Sequence, residues 1–403
     1  MEFNLSNISR SRIRSGQSPV WASIFSGLCA SLIGIGLARF AYTPLLPVLI
    51  QEHWFSASAV VYLGAANLVG YLIGAMLGRI LAARIGNVTA LRAMKVLVTL
   101  AFLACAFPVS TSWFFVWRLS SGIAGGVIMV LVAATILPHV PAYRQGLATG
   151  AVFFGLGCGI AASGTVLPAL LQLGLKDTWI GLAALSAILT AASWRGWPTG
   201  PGPAMAADRA SLDVSVTAVR WLYAQYALMA ASLVPAMIFL VDFIVRGLHG
   251  GAALGSRFWV LYGVGAMIGP PLYGFLADRI GAHFALRAIL FVQTLALAFL
   301  AMTSNYVVIA VLAVVIGSFP PGIIPPILAR VKQLAPTNAA QRNRIWSRAT
   351  TLFAASQALS AYASSAIFNR YTGDYRLLFW MGAAATGLAF VVDFSPNRSP
   401  TRP

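Results

Sequence analysis

The chain has 403 residues, of which 59% are hydrophobic and only 9% are charged, whereas charged residues make up about 25% of a typical soluble domain. This composition excludes a water-soluble globular protein, because so few polar side chains cannot cover a solvated surface. The formal net charge of +18 would suit a nucleic acid partner, but the basic residues lie mostly in short gaps between apolar runs, so we expect none.

In chain order, the apolar runs predict twelve transmembrane helices. Only helices and closed barrels satisfy the backbone inside a bilayer, and a spanning helix needs about 20 residues, twice the length of a barrel strand. The first six helices are predicted near residues 20–50, 58–81, 88–108, 112–137, 146–172 and 177–194. The second six are predicted near residues 217–246, 253–277, 283–303, 306–331, 345–369 and 373–393.

Prolines are expected to bend two of these helices, because proline lacks a backbone donor. They are Pro44 and Pro47 in the first helix, and Pro320, Pro321, Pro325 and Pro326 in the tenth.

A polar stretch separates the two sets of helices. It runs from Arg195 to Arg220 and includes Gly-Trp-Pro-Thr-Gly-Pro-Gly-Pro at residues 196–203. We therefore predict an N-terminal six-helix bundle over residues 1–195, a solvated cytoplasmic linker over 196–216 and a C-terminal six-helix bundle over 217–403, in a monomer.

The basic residues predict the orientation, since short loops rich in Lys and Arg stay in the cytoplasm. With both termini in the cytoplasm, twenty of the 27 basic residues fall on that side. Five fall on the opposite side: Lys176, Arg246, Arg257, Arg370 and Arg376. The remaining two, Arg39 and Arg118, lie inside helices. With 24 Arg against three Lys, which is typical of a high-GC bacterial gene, this pattern predicts a multi-pass protein of the bacterial inner membrane.

The two halves are related by an internal repeat. At an offset of 195 residues, Gly70 aligns with Gly265, Gly74 with Gly269, and Arg-Ile-Gly at 84–86 with Arg-Ile-Gly at 279–281. At an offset of 200, Arg144, Phe153 and Ala161 align with Arg344, Phe353 and Ala361. Glycines at four-residue spacing let membrane helices approach closely, which serves static packing and sliding contact equally well. Two parallel six-helix repeats, related by a pseudo-two-fold axis, are a known transporter plan.

The segment from Gly274 to Gly281, with Asp278 and Arg279 inside it, resembles the loop signature Gly-x-x-x-Asp-Arg-x-Gly of the major facilitator superfamily. The resemblance implies an all-α, twelve-helix fold in which Asp278 caps a helix and Arg279 latches the cytoplasmic face. Arg84 occupies the matching position in the first half.

The first-half copy of this signature is degraded. Arg79 stands in place of the Gly and Ala83 in place of the Asp, so a matching first-half latch is not expected. Within the superfamily, the segments 36–47, 65–71 and 346–357 resemble the YbfB/YjiJ-type branch. That resemblance implies export of sugars or drug-like molecules.

Asp242 is the one acidic residue that lies more than one residue from the end of a predicted span, and it is the first candidate for proton coupling. A buried carboxyl usually faces a cavity or a partner. The alternative is a hydrated residue near the outer end of the seventh helix, paired with Arg246 one turn on. We expect Arg39, deep in the first helix, to approach Asp242 when the outer gate closes.

Arg118 in the fourth helix adds a second fixed positive charge. Two arginines against the one carboxylate of Asp242 leave an excess of positive charge, which favours a substrate that carries a carboxylate. Its alternative role is to bind backbone carbonyls in helix packing. Further candidates for the lining of the central cavity are Tyr42, Asn67, Tyr226, Trp346 and Gln357.

The sequence favours a secondary transporter that works by alternating access and exports a sugar-like, organic-acid or drug-like molecule with protons. No phosphate-binding loop, catalytic motif or metal-ligand spacing is present, so we expect no ATP hydrolysis, no enzyme activity, no cofactor and no metal. The alternatives are a non-transporting membrane sensor or scaffold with the same fold, and a proton-independent organic-anion uniporter or exchanger.

Overall fold

The computed structural model describes residues 20–198, 215–336, 338–370 and 374–394, and all regular structure within them is helical. In the first half, helix α1 has four consecutive segments: Val20–Ser31, a π-helical turn at Leu32–Leu37, Ala38–Phe40 and Tyr42–Gln51. The next five are α2 (Ala57–Ile85), α3 (Asn87–Cys105), α4 (Thr111–Ile136), α5 (Gln145–Leu171) and α6 (Leu175–Ala192).

The second half repeats this order. Helix α7 runs over Val216–Asp242 and ends in a π-helical turn at Phe243–Gly247. It is followed by α8 (Gly251–Ile280), α9 (Ala282–Met302), α10 (Tyr306–Gly322 and Ile324–Leu334), α11 (Ala339–Arg370) and α12 (Tyr375–Val392).

Eleven of these helices are long and apolar enough to cross a membrane, counted over the described residues. The other one is α11, which was predicted over 345–369 and is less apolar than the rest. The prediction of twelve long helices agrees with the structure, although the boundaries shift by a few residues.

The expected bends occur at two places. In α1 the backbone departs from regular α-helix between Leu32 and Ala41, just before Pro44, whose missing N–H leaves the Phe40 carbonyl without its usual helical partner. In α10 the helix ends at Gly322 and restarts at Ile324, between two proline pairs.

Glycine packing repeats with the 195-residue offset. A methyl group added to Gly74 would overlap the carbonyl oxygen of Ile123 on α4, and one added to Gly269 would overlap that of Ser318 on α10. The residue numbers of the second pair exceed those of the first by 195 at both positions, so α2 packs on α4 as α8 packs on α10. Gly86 and Gly281 end α2 and α8 at φ of 82° and 83°, a conformation that favours glycine.

The predicted linker over 196–216 lies mostly outside the described residues, which resume at 215. At its start the prediction of a solvated chain is wrong, because Trp197 is 1% exposed and Gly196 packs against Ala22 of α1. Val216 already belongs to α7.

The end of the bundle where α1 begins is called the Val20 end, and the opposite end is called the Gln51 end.

Candidate functional site

The seam is the boundary between helices α1–α6 and α7–α12, and α5 packs along α8 through it. Near the Val20 end, the Leu147 N–H donates to Asp278 Oδ2 at 3.1 Å, and Trp346 Nε1 donates to the Met129 carbonyl at 3.2 Å. Towards the Gln51 end, Trp259 Nε1 donates to Ser163 Oγ at 3.2 Å. Contacts therefore join the two halves at both ends.

Arg39 lies at this seam. Its NH2 group is 4.0 Å from Met237 Sδ on α7, and its guanidinium lies 5.8 Å from the centre of the Tyr71 ring on α2. Tyr262 on α8 also lies near Arg39. Within the part of the chain that the structure describes, the ion pairs involve only Asp242 and Asp393, so Arg39 has no carboxylate partner there.

Aromatic residues of α7 and α11 also pack together at the seam. The Tyr226 ring lies 4.6 Å from Phe353 and 6.0 Å from Trp346, measured between ring centres. Tyr71 lies near Tyr226 across the seam. The Tyr226 hydroxyl and Gln357 Oε1 are buried and have no hydrogen-bond partner among the described residues. Two predicted cavity residues thus carry unused polar atoms here.

The sequence prediction missed Trp259 and Tyr262. Their rings stack at 5.0 Å with an interplanar angle of 7°, and the Tyr262 hydroxyl is buried without a partner in the described part of the chain. The repeat contains a signal for Tyr262, because it stands 195 residues after Asn67, which was predicted as a cavity residue.

Arg118, Tyr42 and Asn67 form a separate cluster within the first half. Arg118 is 2% exposed, donates from NH1 to the Ala38 carbonyl at 2.8 Å and lies 4.3 Å from the centre of the Tyr42 ring. Asn67 donates to Ser121 Oγ at 3.0 Å. These contacts match the packing alternative for Arg118, and they hold the irregular part of α1 against α2 and α4.

Asp242 lies at the Gln51 end of α7. Its carboxylate accepts from Arg246 Nε at 2.5 Å and from the Tyr375 hydroxyl on α12 at 2.7 Å, and a second Arg246 nitrogen also binds it. Met237, which contacts Arg39, precedes Asp242 by five residues, or about 7.5 Å along the helix axis. The structure therefore does not bring Arg39 and Asp242 together.

The loop residues predicted to form a gate lie at the Val20 end. Asp278 binds the first N–H groups of α5, where the helix dipole favours a negative charge. Gly274 lies against the Gly146 carbonyl, where a larger residue would overlap it. Arg279 lies over Phe275 of its own helix at 5.1 Å, Gly281 ends α8, and Arg84 is exposed at the end of α2.

Asp393 was not predicted as a site residue, yet its side chain is fully buried. Its carboxylate accepts from Arg287 Nε at 2.7 Å and from Gln225 Nε2 at 3.1 Å, and lies 3.3 Å from His283 Nε2. Arg330 contacts the other ring nitrogen of His283 at 2.6 Å. This network joins α7, α9, α10 and the end of α12 within the second half. Asp393 is the last residue of the predicted twelfth helix, 373–393, and a position at a helix end gives no sign of burial.

Comparisons with known proteins identify the family of the chain. Residues 31–394 match the family described as "Uncharacterised MFS-type transporter YbfB". The inner membrane transport protein YdhP of Escherichia coli strain K12 is 26% identical over 378 residues, which covers 92% of this chain and 95% of that protein.

Solved structures share the fold. The Escherichia coli fucose:proton symporter FucP superposes with a TM-score of 0.66 at 14% identity, covering 94% of this chain and 98% of that one. The proton:xylose symporter XylE gives 0.69 at 12% identity, with 92% and 94% covered. A bacterial homologue of the iron transporter ferroportin gives 0.67 at 16% identity, with 93% and 98% covered.

At these identities the structural likeness shows the fold alone, whereas the family match spans most of the sequence. The chain belongs to the YbfB-type family of major facilitator superfamily transporters.

Proposed function

We propose that this protein moves a small organic acid across the bacterial inner membrane by alternating access, with both termini in the cytoplasm. The observation that supports the substrate class is Arg39, a guanidinium at the seam with no carboxylate partner among the described residues. An arginine in this environment needs an anion or water, and its paired donors suit a carboxylate.

The surroundings of Arg39 favour a substrate that also has an apolar or planar body. On the first-half side, the Tyr71 ring lies 5.8 Å from the Arg39 guanidinium. The second half supplies two buried ring pairs at the seam, Tyr262 on Trp259 and Tyr226 on Phe353. The hydroxyls of Tyr226 and Tyr262 are buried donors without partners in the described chain. A bound hydroxyl or carbonyl group would satisfy them, which lowers the cost of burying these polar atoms.

Export coupled to protons is the form of transport that we propose, with Asp242 as the group that binds the proton. Protonation removes the negative charge to which Arg246 and Tyr375 donate. The link that holds the Gln51 end of α7 to α12 then weakens, which lets α7 move away from α1, where Met237 contacts Arg39, and we expect that end to open. Two structural neighbours, FucP and XylE, are described as proton symporters, which supports coupling to protons although not the direction.

The test is a flux assay in proteoliposomes that contain a pH-sensitive dye. A panel of aromatic and aliphatic organic acids, neutral sugars and drug-like cations is applied to the wild type, Arg39→Ala and Arg257→Ala. Arg257 is an exposed arginine and serves as the charge-matched control. We expect at least one organic acid to evoke proton movement, and we expect Arg39→Ala to weaken apparent affinity about 10- to 100-fold, the range for a lost charge-assisted hydrogen bond.

The other outcomes separate the alternatives. Binding of a compound without any flux would favour the sensor or scaffold. Flux that ignores the proton gradient, and that persists in Asp242→Asn, would favour the organic-anion uniporter or exchanger. Transport of neutral sugars alone, with no effect of Arg39→Ala, would refute the assignment to organic acids.

A further inference from the structure

The first half carries an open groove between α3 and α6 on the outside of the bundle. Its volume is about 670 Å³, and its walls include Val96 of α3 and Ala187, Thr190 and Ala191 of α6. Both helices belong to segments apolar enough to cross a membrane. The small side chains of α6 leave space there, and Arg195 closes the groove at the Val20 end.

The internal repeat shows that this space is specific to the first half. Arg92 lies over the Trp194 ring at 5.1 Å, and its counterpart Arg287, 195 residues on, lies over Phe394 at 4.1 Å, 200 residues after Trp194. The two offsets therefore align α3 with α9 and the end of α6 with the end of α12.

In this alignment, the second-half counterparts of Val96 and Thr190 are Phe291 and Phe390. Their ring centres are 5.9 Å apart, and Phe390 also packs on Phe394 at 5.1 Å. The second half thus has two aromatic rings at the position where the first half has an open groove.

The chemistry of the groove is amphipathic. Its length is apolar, and its end at Arg195 is positively charged, with Arg92 beside it and no acidic residue among the lining side chains. Arg92 donates from Nε and NH2 to the Trp194 carbonyl, at 3.1 and 2.8 Å, which fixes this rim. Thr190 is 7% exposed, and its hydroxyl has no hydrogen-bond partner within the described chain.

We propose that the groove binds one anionic phospholipid, with an acyl chain along Val96, Ala187 and Ala191 and the phosphate at Arg195. The open side of the groove faces the bilayer, so a lipid chain is the apolar occupant at hand. Basic pockets between membrane helices bind anionic headgroups, and each basic residue near the surface contributes about 1 kcal/mol.

The test is native mass spectrometry of the purified protein with phosphatidylglycerol, with phosphatidylcholine and with glycerol phosphate. The variants are Val96→Phe with Thr190→Phe, which copies the second half, Arg195→Gln, and Arg257→Gln as an exposed control. We expect the double variant to retain one fewer phosphatidylglycerol per chain. We expect Arg195→Gln to weaken phosphatidylglycerol binding about fivefold and leave phosphatidylcholine unchanged.

Equal lipid retention by the wild type and the double variant would overturn the proposal. Displacement of the lipid by glycerol phosphate at the same concentration would also overturn the proposal, since the acyl chain would then contribute nothing to binding. If the double variant does not fold, quenching of tryptophan fluorescence by brominated phosphatidylglycerol and brominated phosphatidylcholine gives a second measurement. The wild type should be quenched more strongly by the anionic lipid, and an unchanged preference in Arg195→Gln would refute the phosphate site.

Discussion

At the scale of single residues, two carboxylates of the second half show how burial determines what an ion pair contributes to stability. Asp393 is fully buried and is bound by Arg287 and Gln225, whereas 28% of the Asp242 side chain is exposed and its partner Arg246 is 66% exposed. Removing one partner of a buried ion pair leaves the other charge uncompensated, whereas an exposed pair contributes little because water and salt screen it.

We therefore expect Asp393→Asn to lower the free energy of unfolding by about 3–5 kcal/mol, the range for a broken buried pair. Asp242→Asn should change it by no more than about 1 kcal/mol. The measurement is the apparent melting temperature of each variant in detergent, followed by size-exclusion chromatography. A larger loss in Asp242→Asn than in Asp393→Asn would contradict this assignment of the two environments.

The sequence predicted that Arg39 and Arg118 lie inside helices, but it did not predict which neighbours their side chains contact. Depth follows from counting along an apolar run, but the direction of a side chain depends on how its helix is rotated and bent. Because α1 is irregular between Leu32 and Ala41, helical periodicity could not show that Arg39 faces α7 while the Ala38 carbonyl faces Arg118.

At the scale of helices, the glycine pairs of the repeat were predictable and their partners were not. Four-residue spacing predicted that Gly70 and Gly74, and Gly265 and Gly269, lie at close helix contacts. It did not identify the partner helices, because a six-helix bundle offers several neighbours to each helix. The structure supplies them as α4 and α10.

Substitution of these glycines should disturb both halves alike. Gly74→Ala and Gly269→Ala each place a methyl group on a backbone carbonyl of the partner helix, which should cost about 1–3 kcal/mol as in other overpacked interiors. Gly387→Ala on α12 is the control, because its added methyl group would lie 3.4 Å from Thr294 Cγ2, an ordinary contact.

The readout for the glycine series is again the apparent melting temperature, together with the yield of monodisperse protein. We expect Gly387→Ala to equal or exceed the wild type, since Ala favours a helix over Gly by about 1 kcal/mol. If both Gly74→Ala and Gly269→Ala have wild-type stability, then α2 and α4, and α8 and α10, do not pack closely at these glycines in the folded protein.

At the scale of the whole molecule, the two halves share a fold but not their charges. The loop with Asp278 belongs to the second half, and its first-half counterpart has Ala83 in place of the acid. The second half also holds the Asp393 network, whereas position 193, its first-half counterpart, is a serine that binds Lys95 at 2.7 Å. The apolar runs and the internal repeat predicted two halves, but only the fold shows that the Asp278 carboxylate binds the N-terminus of a helix in the other half.

That contact predicts how one substitution shifts the conformational equilibrium of the transporter. Asp278→Asn removes the charge that binds the N-terminus of α5, and a hydrogen bond to a charged group is worth about 1.5–3 kcal/mol. The population open at the Val20 end should rise about tenfold or more, since 1.4 kcal/mol is a tenfold change in an equilibrium constant.

The measurement is the distance distribution between spin labels on the exposed positions Tyr143 and Phe284, one in each half near the Val20 end, after replacement of the three native cysteines. We expect a longer distance to gain population in Asp278→Asn. Arg279→Gln is the matched control, because that neighbouring guanidinium lies over Phe275 of its own helix and not across the seam. Because Ala83 stands at the matching position of the first half, no second carboxylate can compensate there, and the effect should appear in the single variant. If Asp278→Asn and Arg279→Gln give the wild-type distribution alike, the contact between Asp278 and α5 does not control opening at this end.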